Sequence, residues 1–324
     1  MVNMIETLVY AGRIKDNSIL LNSSSGGAFT ALSDYFLKNE NAVVSTIYNY
    51  KNHTAEYKMI LNQQQRDSAR GSKYMQSKPG NIYKTAYNWL INNPNKKLLF
   101  VGMGCQADGF RKYCEIKGVR EQVYIVDIIC HGSSSPKIWR EYAKLIQEKK
   151  KGKITYLTFK DKRNGWKFPT AYVVVNGKEK FINNYVKIFY NRCALRPSCY
   201  ECPYATIERK TDITIGDYWH IDETIPDFYD SNGNSLFIIH TNRGKKLFER
   251  IKDNLDYRLS DTTQCWQMNL ESPTPRSENR GIFWQDYYSK GIDYIIKKYG
   301  SESINVRIKN KVIKWINNIV QNDK

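Results

Sequence analysis

Residues 193–220 read CALRPSCYECPYATIERKTDITIGDYWH, and this stretch decides how the rest of the chain is interpreted. Cys199 and Cys202 form a C-x2-C pair on a proline-flanked turn. Residues 212–219 follow and are typical of a buried strand that contains a glycine near its end. Two thiols three positions apart on one turn point the same way, so they suit a metal ion or a cluster. The same spacing also occurs in redox-active cysteine pairs.

The composition indicates a globular protein with an anionic partner. The chain has 324 residues, which is enough for two lobes, and 41% of them are hydrophobic. Lys and Arg outnumber Asp and Glu by 50 to 32, which favours a nucleotide-like cofactor, a phosphorylated substrate or an anionic membrane face. The alternative is a surface of solvated lysines. We do not expect nucleic acid as a partner, because the lysines are spread out and no recognised nucleic-acid motif occurs.

The sequence predicts a cytoplasmic protein. Residues 1–17 contain no apolar signal-peptide core, and no apolar run is long enough to cross a membrane. In a reducing compartment, the seven cysteines are expected to act as metal ligands or catalysts and not as disulfides.

Strands, glycine turns and helices alternate through residues 97–150, as in a parallel sheet. The apolar segments 97–102 and 123–130 are predicted strands, and Cys105 and Cys130 would lie at their carboxyl ends. Ligands of open α/β sheets bind at that edge. A buried structural cysteine is the ordinary alternative for each residue alone.

Two polar glycine loops are candidate phosphate sites. Ser24–Gly27 precede a predicted helix, whose free N–H groups attract phosphate, although a simple serine cap explains the same pattern. In the second loop, residues 69–77, Arg70 and Lys73 lie beside Tyr74, which suits a ligand with a phosphate and a stackable ring.

We expect an α/β fold with a mostly parallel sheet, flanking helices and a smaller antiparallel α+β lobe that carries the cysteine loop. The predicted divisions are 1–150, 151–280 and a helical tail, 281–324, with a lysine-rich boundary near residue 150. Residues 303–320 form a basic amphipathic pattern, which either lies at a membrane interface or packs on its own protein.

The motifs together resemble the coenzyme F-420 hydrogenase/dehydrogenase beta-subunit family, over roughly residues 8–245. The resemblance is greatest to bacterial members encoded among polysaccharide-biosynthesis functions. The segments occur in the order SSSGGAFTAL (23–32), GSKYMQS (71–77), GMGCQADGF (102–110), VDIICHG (126–132), NGW (164–166), LRPSCYECPY (195–204) and R-x-TDITIGDYW (209–219).

This resemblance implies a flavoprotein oxidoreductase that binds FAD in the first lobe and a 4Fe–4S cluster. Cys105, Cys130, Cys199 and Cys202 match the family's cluster positions, with Cys193 as an alternative fourth ligand. The residues expected around the flavin are Ser24, Ser25, Gly26, Gly27, Arg70, Gly71, Ser72, Lys73, Tyr74, Gln76 and Ser77.

One departure from the family concerns the source of electrons. Many members begin with a ferredoxin-like cysteine segment, whereas this chain has no cysteine before Cys105. The expected donor is therefore a separate ferredoxin or a reduced flavin. The expected substrate is sugar-derived, as a nucleotide sugar or a lipid-linked sugar, and the expected location is the cytoplasm. Contact with the inner membrane face is expected only if the basic C-terminal helix binds the membrane and does not pack on its own protein.

Reduction of an unsaturated carbon or a carbonyl needs a proton donor, and His131, Asp217 and His220 are the candidates. A different class of function stays open, namely a zinc-stabilised binding or transferase module that acts on an anionic glycan carrier. In that case Cys199 and Cys202 bind zinc with Cys193 and His220, or with Cys105 and Cys130.

Overall fold

The computed structural model describes residues 4–301. Its strands are β1 (Met4–Ile14), β2 (Ala42–Asn49), β3 (Thr54–Ile60), β4 (Ser77–Lys78), β5 (Leu98–Met103), β6 (Val123–Ile128), β7 (Ile154–Asp161), β8 (Thr170–Val175), β9 (Lys178–Phe181), β10 (Ile213–Asp217), β11 (Ser235–Thr241) and β12 (Leu255–Ser260). Its helices are α1 (Asn17–Leu21), α2 (Ala28–Lys38), α3 (Gln63–Ala69), α4 (Ile82–Asn92), α5 (Gly104–Ile116), α6 (Pro136–Lys150), α7 (Asn183–Tyr190), α8 (Ile221–Thr224), α9 (Asn242–Ile251) and α10 (Arg280–Tyr299).

A nine-stranded sheet in the order β12-β1-β11-β10-β6-β5-β2-β3-β4 forms the centre of the fold. Strands β10, β6, β5 and β2 run parallel. The pairs β12–β1, β1–β11, β11–β10 and β2–β3 are antiparallel. The predicted α/β class is confirmed. The sheet is mixed, because the parallel βαβ pattern covers its centre and returning strands extend it on both sides.

Apolar helix faces cover both sides of this sheet. On one side Phe36 of α2 and Phe248 of α9 pack with Phe237 of β11, and all three are buried. On the other side Phe110 of α5 packs with Phe100 of β5. Each fully buried side chain of this size contributes about 1.5–3 kcal/mol. The carboxyl edge of the parallel strands therefore has a rigid support.

The small antiparallel lobe is also confirmed, as a separate sheet in the order β7-β8-β9. Asn176 and Gly177, with φ of 52° and 73°, form the tight turn between β8 and β9. The buried Trp139 of α6 and Tyr185 of α7 belong to one core with Phe159 of β7. The cysteine loop leaves this lobe after α7 and enters the large sheet at β10.

The predicted division at residues 150 and 280 stays a prediction. The large sheet takes strands from both sides of residue 150, since β10, β11 and β12 pair with strands of the first range. The helix α10 begins at Arg280 and is interrupted at Gly291, where φ is 74°. The basic pattern at 303–320 lies outside the described residues. Across 4–301, no helix combines the length and apolarity needed to traverse a bilayer.

Candidate functional site

A cavity of about 570 Å³ opens at the carboxyl ends of the parallel strands. Met103 at the end of β5, Ile129 after β6 and Asp217 at the end of β10 line it. The volume lies within the range of roughly 300–1,000 Å³ that is typical of small-molecule and cofactor sites. The position is the one expected for ligands of an open α/β sheet.

Both predicted glycine loops line this cavity and contact each other. The backbone N–H of Ser72 donates to Ser24 Oγ at 2.9 Å, and the two hydroxyl oxygens lie 3.2 Å apart. Nine of the expected flavin residues line the cavity, namely Ser24, Ser25, Gly27, Arg70, Gly71, Ser72, Lys73, Tyr74 and Ser77.

Gly26 and Gln76 do not line the cavity and hold the loops in place. A Cβ at Gly26 would lie 2.4 Å from the Gly12 carbonyl oxygen and 2.5 Å from the Ser235 nitrogen, so only glycine fits between β1 and β11. The backbone N–H of Gln76 donates to the Ser134 carbonyl at 3.2 Å, which joins the second loop to the segment after Cys130.

Cationic groups and a helix N-terminus occupy one wall of the cavity. Phe29 and Thr30, in the first turn of α2, line it, so the positive end of that helix dipole faces the space. Lys73 Nζ donates to the carbonyls of Ala69 at 2.7 Å and Arg70 at 2.9 Å. Burial lowers the pKa of Lys73 to about 7. This wall suits a phosphate-bearing ligand.

Aromatic side chains form another wall. Tyr74 stacks on Phe189 with ring centroids 4.5 Å apart, and its hydroxyl lies 3.2 Å from that of Tyr190. Trp219 stacks on the buried Trp166 at 5.1 Å. Sequence reasoning missed Phe189, Tyr190, Trp219, Gln267, Met268 and Asn269 as lining residues.

Of these residues, only Trp219 could have been identified from the sequence, because it is the last residue of the TDITIGDYW segment. The others lie on α7 and on the loop after β12, and nothing local connects them with the glycine loops.

Two of the three candidate proton donors line the cavity. Burial lowers the pKa of His131, and the Arg192 cation lowers it further. Asp217 accepts from Lys160 Nζ at 2.6 Å and from Trp166 Nε1 at 2.9 Å. His220 is exposed, lies 3.5 Å from Glu223 and does not line the cavity.

The structure brings together the thiols of Cys105, Cys130, Cys199 and Cys202. Burial raises the pKa of Cys130 to about 12, with further contributions from the other three thiols. Burial also raises the pKa of Cys105, followed by the influence of Cys202 and Cys199, while the Arg196 cation opposes the rise. Packing agrees with this, since a Cβ at Gly132 would lie 3.4 Å from Cys199 Cβ, and a Cβ at Gly104 would lie 3.0 Å from Tyr204 Cβ.

Backbone pairing connects the segment after Cys130 with the cysteine loop. The N–H of Ser133 donates to Cys199 Sγ at 3.4 Å. The N–H of Arg196 donates to the Ser133 carbonyl at 2.9 Å, and Ser134 forms an antiparallel bridge with Leu195.

Cys193, the alternative fourth ligand, is buried and lies 3.2 Å from Ser277 Oγ. Cys130 lines the cavity beside the other thiols and is therefore the better fourth candidate.

The thiols do not form a compact site for a single ion. Within residues 4–301, no group of three or more His, Cys, Asp or Glu side chains is arranged to hold a metal ion. A tetrahedral zinc site needs thiolates roughly 3.8 Å apart, because each Zn–S bond is about 2.3 Å long.

Comparison with known proteins identifies the family. The α/β fold, the cavity and the adjacent thiols define a protein class with a ligand site beside a cysteine cluster. The family described as the C terminus of the beta subunit of coenzyme F420 hydrogenase/dehydrogenase matches residues 95–264, which is more than half of the chain. The chain belongs to this family, as the motifs predicted. Membership supports a redox role in general.

A solved structure shares the fold. The chain is similar to one from the F420-reducing NiFe hydrogenase complex of Methanosarcina barkeri, with a TM-score of 0.54 and 15% identity, over 92% of this chain and 91% of that one. No curated protein matches.

Proposed function

We propose that the protein is an FAD-dependent, iron–sulfur oxidoreductase that transfers electrons to or from a small-molecule substrate. The observation that carries this proposal is the position of Cys130. Its side chain lines the large cavity and also interacts with Cys105, Cys199 and Cys202. A cluster held by these thiols would border a flavin in the cavity, as electron transfer between the two requires.

The cavity residues fit FAD in their chemistry. The first turn of α2, Lys73 and Arg70 would hold the pyrophosphate, and the seryl groups of Ser24 and Ser72 would bind the polar chain. The aromatic wall around Tyr74 suits a flat ring system. When bound, the flavin supplies two-electron chemistry, while the protein supplies orientation and electrostatics.

Four cysteine thiols are the usual ligand set of an iron–sulfur cluster. In a four-iron cluster each thiolate binds a different iron, so the sulfurs are spaced more widely than around a single ion. Burial raises the pKa of Cys130 to about 12, yet bonding to a metal removes thiol protons outright. Cys105, in the first turn of α5, also faces the positive end of a helix dipole.

His131 and Asp217 are the proposed proton donors to the substrate, because both line the cavity. Lys160 Nζ donates to Asp217 at 2.6 Å and positions its carboxyl group. We do not retain His220, which is exposed and outside the cavity lining.

We propose that the substrate is sugar-derived. The protein would then act in the biosynthesis of exopolysaccharide, nucleotide sugars or lipid-linked sugars, in the cytoplasm. The family resemblance supports this choice, and so do Trp219, Gln267 and Asn269, which offer the ring face and amides that suit a sugar. The proposed electron donor is a separate ferredoxin or a reduced flavin. The similar structure comes from a hydrogenase complex, which agrees with a protein partner.

Anaerobic purification of the full chain tests this function directly. We expect about one FAD and four irons per chain, with absorption near roughly 450 nm from flavin and a shoulder near roughly 410 nm from the cluster. A colourless protein that contains one zinc would instead support the zinc-stabilised module.

A further inference from the structure

A buried ion pair joins the segments that carry the thiols. Arg209 Nη1 lies 2.6 Å from Asp127 Oδ2, and both side chains are buried. The two residues are 82 positions apart in the chain, so only the tertiary structure pairs them. Burial of two charges is expensive and is weak evidence for a role in stability. The location of the pair therefore calls for another explanation.

Arg209 connects the cysteine loop with the end of β6. Its Nε donates to the Thr206 carbonyl at 2.9 Å, and its Nη1 also donates to the Ile128 carbonyl at 3.3 Å. Thr206 follows Cys202 closely, and Ile128 precedes Cys130 closely. The rigid guanidinium thus sets the distance between these two thiol-bearing segments.

Asp127 connects β6 with the start of α5. A Cβ at Gly104 would lie 3.2 Å from Asp127 Oδ2 and 3.0 Å from Tyr204 Cβ, so the backbone just before Cys105 passes between strand and loop. The hydroxyls of Thr211 and Thr214 donate to Asp127 Oδ1 at 2.9 Å and 2.6 Å and fix the carboxylate.

We propose that Arg209 and Asp127 are positioning residues for the cluster, an inference that rests on the proposed function. Together they hold the segments of Cys105, Cys130 and the Cys199–Cys202 turn in one arrangement. A cluster held by these thiols would lie close to this buried pair, whose two charges would then influence its reduction potential.

The direction in which the reduction potential shifts distinguishes an electrostatic effect of the ion pair from a purely structural one. Reduction adds negative charge to the cluster, so nearby negative charge disfavours it. Arg209→Met leaves the Asp127 carboxylate uncompensated and shifts the potential to more negative values. Asp127→Asn leaves the guanidinium uncompensated and shifts the potential to more positive values. The double variant removes both charges and returns the potential toward that of the wild type.

A second buried ion pair in the same sheet provides a matched control. Arg120 Nη2 lies 3.0 Å from Asp212 Oδ2, and both side chains are buried. This pair joins the other end of β6 to the start of β10, since Asp212 also accepts from the Ile125 N–H at 2.8 Å. Arg120→Met should lower stability without changing the potential of the cluster.

The experiment compares these variants as anaerobically purified, full-length protein. Iron per chain, the potential from a redox titration followed by electron paramagnetic resonance, and the melting temperature are measured for each. Opposite potential shifts in Arg209→Met and Asp127→Asn, with no shift in Arg120→Met, support the proposal. The proposal is also supported if folded Arg209→Met loses its iron while Arg120→Met retains it.

Two results would overturn this inference without rejecting the proposed function. The first is that the wild type contains iron, but Arg209→Met and Asp127→Asn have the same reduction potential as the wild type. The second is an equal potential shift in Arg120→Met. If Arg209→Met does not fold, the reduction potentials of Asp127→Asn and Arg209→Lys are measured and compared in its place. A wild type without iron rejects the cluster itself.

Discussion

At the scale of single residues, burial and metal binding act in opposite directions on the same thiols. Burial raises the pKa values of Cys105, Cys130 and Cys199, so these groups are protonated at neutral pH unless a metal displaces the proton. Thiols of this kind are poorly suited to act as free thiolates. The sequence indicated the four residues, and only the fold shows their common environment.

Replacement of the C-x2-C pair tests these residues. Cys199→Ser with Cys202→Ser should remove iron and sulfide while the protein stays folded, because two of the four proposed ligands are lost. The matched control is Cys114→Ser, a buried thiol in the core under α5 and outside the cavity lining. Iron and sulfide assays with circular dichroism give the answer, and unchanged iron in the double variant would reject the pair as ligands.

Lys73 should make flavin binding depend on pH. Its pKa of about 7 in the free protein means that the ammonium is lost as the pH rises through neutrality. A phosphate binds the cation and not the amine, so the affinity for FAD should fall between about pH 6 and pH 9.

Lys73→Met should abolish that pH dependence and weaken binding at about pH 6 by roughly tenfold, as expected for one charge-assisted hydrogen bond. Fluorescence titration of flavin-stripped protein measures both effects. Lys245→Met, on the exposed face of α9, should bind as the wild type does. An affinity of the wild type that stays constant over this range would contradict the assignment of Lys73.

At the scale of elements, the site depends on loops that are locked against strand ends. Gly26 packs against the backbones of β1 and β11, and its carbonyl accepts from the Ile14 N–H at 2.8 Å. The buried Lys162 Nζ donates to the Ser25 carbonyl at 2.6 Å. These contacts hold the Ser24–Gly27 segment at the cavity wall, and they explain why the loop ends in two glycines.

Gly26→Ala should therefore destabilise the protein by about 1–3 kcal/mol, the usual range for overpacking, and weaken FAD binding. Urea denaturation and flavin titration measure the two effects. Gly281→Ala is the control, since a Cβ there meets nothing within 4 Å and the change should alter stability by less than about 1 kcal/mol. Equal stability of the two variants would show that the close approach at Gly26 is not needed.

At the scale of the whole molecule, buried basic groups link stability to pH. Burial lowers the pKa of His240 from 6.5 to about 4 and that of Lys162 from 10.5 to about 7. In each case the folded state binds fewer protons than the unfolded state between the two pKa values. Stability should thus rise with pH from about 4 to 6.5 through His240, and above about 7 through Lys162.

Buried thiols oppose this trend at high pH. Burial raises the pKa of Cys114 from 9.0 to about 12, so stability should fall as the pH increases over that interval. We expect melting temperatures to increase from about pH 5 to about pH 8.5. Lys162→Met should lose part of the increase above about pH 7, because Lys73 has the same lowered pKa and keeps its contribution, whereas Lys245→Met should keep all of it. A wild-type melting temperature that decreases between about pH 7 and 8.5 would contradict this account.

Local patterns in the sequence were enough to identify the elements around the site and the family. Apolar runs predicted the strands β5, β6 and β10, and glycine turns marked where these strands end, because periodicity and turn chemistry act over a few residues. The same reasoning identified the two glycine loops, most of whose residues line the cavity.

Only the tertiary structure decided which distant groups meet. It placed Tyr190 and Trp219 on the cavity wall, left His220 outside it, and paired Arg209 with Asp127. It also extended the parallel strands with antiparallel neighbours on both sides. Such pairings depend on the packing of whole elements and leave no local pattern in the chain, so the sequence determined the parts and their chemistry, whereas the fold determined their partners.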